Sequence, residues 1–138
     1  VIHVAVIYAR YIDMLLRREK RVELRLSRNR IPPFGIAQAG DTLYIKQSGG
    51  PMRARASITR VECYEGLTPA SIMDLKARYN HLVCGPDEAW LAKARSRYAT
   101  FLWLDGFIET ADAPPYKRFT GNAWQVLPES AAPLRSPA

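Results

Sequence analysis

The chain has 138 residues, 48% of them apolar and 24% charged, with a net charge of +7 and a pI near 9.7. That length suits one compact domain and leaves no room for a second sizeable core. The composition excludes global disorder, a collagen-like fibre and a disulfide scaffold, and the cationic excess points to an anionic partner, nucleic acid first among them.

Val1–Tyr8 is an apolar run of eight residues without a preceding basic segment. It is too short to span a membrane and reads as a buried strand, not a signal peptide. Ile12, Leu15 and Leu16 then recur at helical spacing, which predicts a short amphipathic helix over Ala9–Arg18. Val22, Leu24 and Leu26 alternate with Glu23, Arg25 and Ser27, the pattern of a half-buried strand with the two charged residues on its other face. Arg28–Ala39 contains Pro32, Pro33 and Gly35 and is expected to be a surface loop.

Thr42–Gln47 and Met52–Tyr64 flank Ser48-Gly49-Gly50-Pro51, which predicts a hairpin. On its second strand Ala54, Ala56 and Ile58 share one face; Arg53 and Arg55 share the other, where they either extend a basic track or are simply solvated. Thr68-Pro69 supplies an N-cap and a first-turn proline for a helix through Ile72, Leu75 and Tyr79. Asp87-Glu88 opens another around Ala89–Arg95. Tyr98–Ile108 reads as a central strand and Trp124–Leu127 as a short last one, with Trp90, Trp103 and Trp124 as packing residues. Residues 1–127 form the domain, and the Pro-, Ala- and Ser-rich stretch 128–138 is expected to be a disordered tail. The order predicts the α+β class, a small and mostly antiparallel barrel with flanking helices.

Cys63 and Cys84 stand alone, which fits incidental thiols in a reducing cytoplasm. His3 and His81 are isolated, no zinc spacing occurs, and no cofactor motif is present, so neither metal nor cofactor is expected. The charge is unevenly placed. Residues 10–30 hold eight cations against three anions, five of the seven net charges. Such clustering indicates an anion-facing surface better than the pI does, with a solvated helix face as the plain alternative. At its centre, Lys20, Glu23 and Arg25 can converge on one cleft. Cations there would hold phosphate while the carboxylate accepts from a base edge, or Glu23 is merely in a cross-strand ion pair. Tyr8 and Tyr11 flank Arg10 and can stack on an unpaired base unless they are core.

Tyr11-Ile12, Leu15-Leu16, Lys20, Val22-Glu23, Arg25, Gly40-Asp41, Lys46 and Ser48-Gly49-Gly50 together resemble the activating signal cointegrator homology (ASCH) family. The likeness continues through Leu67-Thr68-Pro69 and Arg97-Tyr98-Ala99-Thr100 to Trp103-Leu104. It implies a PUA-like barrel and a cleft lined by Lys20, Glu23 and Arg25 that binds RNA or another single-stranded nucleic acid. Many members carry glycine where this chain has Arg18, which suggests a looser turn. Some relatives are acetylcytidine amidohydrolases with a nucleophilic threonine three residues after the lysine; Glu23 occupies that position here and cannot take the role. The expected binding residues are Arg10, Tyr11, Lys20, Glu23, Arg25, Arg28, Arg30, Lys46, Ser48 and Arg53, and the alternative, a hydrolase of RNA or a modified nucleoside, would use Lys20, Tyr44, Lys46 and Ser48.

Overall fold

The computed structural model describes residues 1–131; the part of the expected tail at 132–138 lies outside the described residues. In chain order the elements are β1 (Ile2–Ile7), α1 (Ala9–Leu16), β2 (Val22–Ser27), β3 (Thr42–Gln47), β4 (Met52–Glu65), α2 (Pro69–Val83), α3 (Asp87–Ala92), β5 (Tyr98–Glu109) and β6 (Trp124–Leu127), followed by a 3₁₀ turn at Glu129–Ala131. This is the predicted order, and the α+β class with it. The strands form one mixed sheet in the order β2-β5-β4-β3-β1-β6. β1 and β3 run parallel while the other neighbours are antiparallel. The parallel pair arises because the chain leaves β1 through α1, visits the far edge as β2 and returns by a long loop, the kind of crossover that a parallel neighbour requires.

Curling brings the two ends of the sheet together. Three strands separate β2 from β1 in sheet order, yet Arg25 Nη2 donates to the Val6 carbonyl at 2.9 Å. Ala5, Ile7, Leu43, Ile45, Ala56, Ile58, Leu102 and Leu104 fill the interior, and Ile12 and Leu15 of α1 plug one end. The outer side of β2 and β5 is covered by α2 and α3, where Val22, Ala99 and Phe101 meet Ile72, Leu75 and Trp90. Because Val22 commits that face of β2 to the helices, the alternation turns Glu23 and Arg25 inward. The N-terminus of α2 carries a reciprocal Thr68–Ser71 capping box with Pro69 in the first turn. At its other end Asn80 bonds both the N–H and the carbonyl of Gly85 and accepts from the Trp90 indole, fixing how α3 follows α2.

The segment 28–39 is more than a surface loop. Phe34 is buried edge-on to Tyr98, with ring centroids 5.0 Å apart, and Ala37 enters the main core. His3 is fully buried: Trp124 donates its indole N–H to Nδ1 at 3.0 Å, so the imidazole proton sits on Nε2 and is donated to Asp41 at 2.8 Å. Burial, outweighing the Asp41 carboxylate, holds His3 below its ordinary pKa, in keeping with a neutral ring. Cys63 is exposed and Cys84 half-buried, and both are free thiols. No helix among the described residues is long and apolar enough to cross a membrane.

Helix α1 ends in a paired hydrogen-bond pattern: Arg18 N–H donates to Leu15 O at 3.1 Å and Glu19 N–H to Met14 O at 2.9 Å. Such an ending requires a left-handed residue, and Arg18 adopts it with φ of 65°. The turn is therefore kept tight, not loosened, despite the missing glycine. The strain amounts to roughly 1–2 kcal/mol, partly offset by the exposed ion pair of Arg18 with Asp105 at 2.8 Å. Arg18→Gly is expected to keep stability within about 1 kcal/mol of the parent, because relief of strain balances the lost pair and the added chain entropy. Arg18→Val, branched at Cβ, is expected to cost about 2 kcal/mol or more. Urea midpoints check this; equal losses from both substitutions would contradict it.

Candidate functional site

The curled sheet does not close, and its seam is a cleft of about 820 Å³. One wall is the inner face of β2 with Glu23 and Arg25; the facing wall is Val6–Tyr8 and residues 121–123. Pro32 and Pro33 form one rim, Trp90 and Lys93 of the α3 region another, and Ser48 borders it from the β3–β4 turn.

Three charged side chains organise the floor. Lys20 is 3% exposed and Glu23 7% exposed, and their charged atoms lie 3.4 Å apart. Arg25 Nη2 meets the other Glu23 oxygen at 3.1 Å. Lys20 also donates to Val83 O, at the end of α2, at 2.7 Å and lies over the Tyr11 ring. Arg25 reaches Val6 O and lies over the Trp124 ring at 5.3 Å. Glu23 further accepts from the Leu24 N–H at 3.2 Å. Burial alone would push the Glu23 carboxyl up, but Lys20 first and then Arg25 outweigh it and hold the group ionised below its ordinary range. The Glu23 carboxyl is therefore ionised at neutral pH.

Lys20, Glu23, Arg25, Arg28, Tyr11 and Ser48 all border the cleft. Arg10 does not border the cleft; it is exposed, with its guanidinium 4.8 Å from the Tyr11 ring and 6.0 Å from that of Tyr8. Arg30 pairs with Glu65 and lies over Phe34. Arg53 pairs with Asp13 at 3.0 Å, and Lys46 donates to the carbonyls of Gln47 and Gly50. Neither borders the cleft. Tyr44 is buried with Ile2, Val4 and Met52 in a separate cluster, so of Lys20, Tyr44, Lys46 and Ser48 only the first and last border the cleft.

The basic segment 10–30 does not present one cationic face. Arg17, Arg18, Lys20, Arg25 and Arg30 each have a carboxylate partner, whereas Arg10, Arg21 and Arg28 have none among the described residues. Lys93, also unpaired among the described residues, borders the cleft from well beyond the basic segment in sequence and gave no local signal. Tyr8, 63% exposed, also borders it. Among the described residues no three His, Cys, Asp or Glu side chains gather as a metal site would need.

No family model matches the chain, and no curated protein matches it. Among solved structures it is similar to ASCH from Zymomonas mobilis, with 13% identity, a TM-score of 0.66 and coverage of 94% of this chain and 90% of that one. A serine-to-alanine variant of that protein gives 14% identity and a TM-score of 0.67 over the same shares of the two chains. A tyrosine-to-phenylalanine variant gives 14% and 0.61 over 78% of this chain and 71% of that one. The chain thus has the fold of an ASCH domain, as the sequence resemblance implied.

The Lys20–Glu23–Arg25 cluster has a measurable signature. Glu23→Gln leaves the Lys20 ammonium buried without a counter-charge and is expected to cost about 3 kcal/mol. Adding Lys20→Met is expected to recover at least half of that loss, since no uncompensated buried ammonium remains. The pH dependence carries a sign. Because the folded pKa of Glu23 lies below its ordinary 4.5, its contribution is present above that value and lost as pH falls through the folded pKa. Denaturation from pH 7 to 3 is expected to show a shallower decline for Glu23→Gln than for the parent; parallel curves would contradict the assignment.

Proposed function

We propose that this ASCH-fold domain, a mostly antiparallel PUA-like barrel, binds RNA as a single strand and seats one nucleotide in the seam cleft. The observation that carries the reading is the lining: Lys20, Arg25, Arg28 and Lys93 against the single carboxylate of Glu23, beside exposed Tyr8. Four cations in a concave, partly apolar site favour phosphate, and an exposed ring at its mouth favours a base face. Roles divide by engagement. Lys20 is already bonded to Val83 and paired with Glu23, so it positions the carboxylate. Arg28 and Lys93, unpaired among the described residues, take phosphate, with the uncommitted nitrogens of Arg25. Glu23, ionised and still able to accept once more, meets an amino or imino donor on the base edge.

Binding is favoured over hydrolysis by the dispersal of the candidate catalytic groups: Tyr44 is buried elsewhere, and Lys46 is tied to backbone carbonyls. If three to five phosphates are neutralised, log affinity for single-stranded RNA falls with log salt at a slope of about −2 to −3.5. Arg28→Ala and Lys93→Ala are each expected to weaken binding severalfold and reduce that slope by about 0.7. Tyr8→Ala is expected to cost about 1–3 kcal/mol of affinity with little change in slope. Fluorescence anisotropy over a salt series checks all three; absent or salt-independent binding would refute the reading. RNA and acetylated cytidine should both survive incubation. Product formation lost in a folded Lys20→Met variant would replace binding with hydrolysis.

A further inference from the structure

Beyond the cleft, the end of the β2–β5 ladder carries a second cationic recess. The last register pair is Ser27 with Tyr98, and the Arg97 N–H donates to Ser27 O at 2.9 Å, so the ladder ends there with Arg28 and Arg97 just beyond it. Neither arginine has a carboxylate partner among the described residues, and both are exposed. The two, with Tyr98 and the 65–66 turn, line a second recess of about 450 Å³. Glu65 is its one carboxylate, and that charge is shared with Arg30 at 3.4 Å. Tyr98 is braced by Phe34, which keeps the floor of the recess in place.

Arg28 borders both the seam cleft and this recess. A polyanion leaving the cleft past Arg28 therefore meets Arg97 next. We infer that the Arg28–Arg97 recess is a phosphate subsite for the nucleotide adjacent to the one in the cleft, so the ligand is an oligonucleotide strand and not a free nucleotide. This rests on the nucleotide-binding reading of the cleft and goes beyond it by fixing the ligand's minimum length and its direction of exit. Both guanidiniums line the recess and can donate to a phosphate held in it.

Titration with 5′-ribomononucleotides and with a mixed-sequence tetraribonucleotide tests this. The parent is expected to bind the tetramer at least tenfold more tightly than any mononucleotide. Arg97→Gln, outside the cleft, is expected to weaken the tetramer about 3- to 10-fold and reduce its salt slope by about 0.7, leaving mononucleotide affinity unchanged. Arg97→Glu, which reverses a charge lining the recess, is expected to abolish the advantage of length. Mononucleotide binding with no gain for the tetramer, or a tetramer affinity indifferent to Arg97→Gln, would overturn the subsite and leave the cleft reading intact. A tetramer advantage that survives Arg97→Glu would likewise overturn the subsite. Failure of every ligand to bind the parent would overturn the cleft reading and the subsite with it.

Discussion

A carboxylate held between two cations at the floor of an unclosed barrel is the constraint on which this molecule turns. Glu23 is nearly excluded from solvent, and ionisation there is sustained by Lys20 and Arg25. Each cation then reaches a different part of the fold. Lys20 reaches the last turn of α2 through Val83, and Arg25 reaches β1 through Val6 and β6 through the Trp124 ring. Apolar residues of similar volume would serve stability as well or better, so such a cluster contributes mainly to where these elements sit. It fixes the walls of the cleft while leaving part of Arg25 free to act.

The cleft itself is a consequence of topology. A six-stranded sheet this curved would bury its edges by pairing β2 with the far edge, but β1 takes β6 as its outer neighbour instead. The seam is bridged by a side chain, Arg25 to Val6 O, not by a ladder. The opening is bordered instead by the Pro32-Pro33 segment, the α3 region and residues 121–123. Edge backbone covered in this way avoids pairing with another chain and leaves a concave, charged recess. His3 reinforces the far wall, since its bonds to Asp41 and Trp124 tie β6 to the entry of β3.

What was legible in the sequence followed local rules. Alternation in 22–27 placed Glu23 and Arg25 on one face, Thr68-Pro69 marked the start of α2, and the glycine turn marked the β3–β4 hairpin. The Lys20–Glu23–Arg25 group was visible for the same reason, because its members are close in sequence. Engagement was not visible. That Lys20 spends its donors on Val83 depends on where α2 ends, sixty-three residues later. Phe34 and Ala37 are buried because Tyr98 and the main core approach the loop, which no pattern within 28–39 encodes. Lys46 and Arg53 are positive by composition but committed to carbonyls, to Gln47 and to Asp13 by the register shift at Ile45/Lys46 and the approach of α1. Lys93 and Arg97 join the site only through folding. A charge count over a segment therefore finds cations that border the cleft without showing which of them already have partners.

The most direct test of the cleft as a nucleotide site is a crystal of the protein soaked with a 5′-ribomononucleotide. The phosphate is expected within hydrogen-bonding distance of Arg25 and of Arg28 or Lys93, with the base against Tyr8 and its polar edge toward Glu23. A nucleotide ordered on the outer face beside Lys46 and Arg55, with the seam left empty, would contradict it.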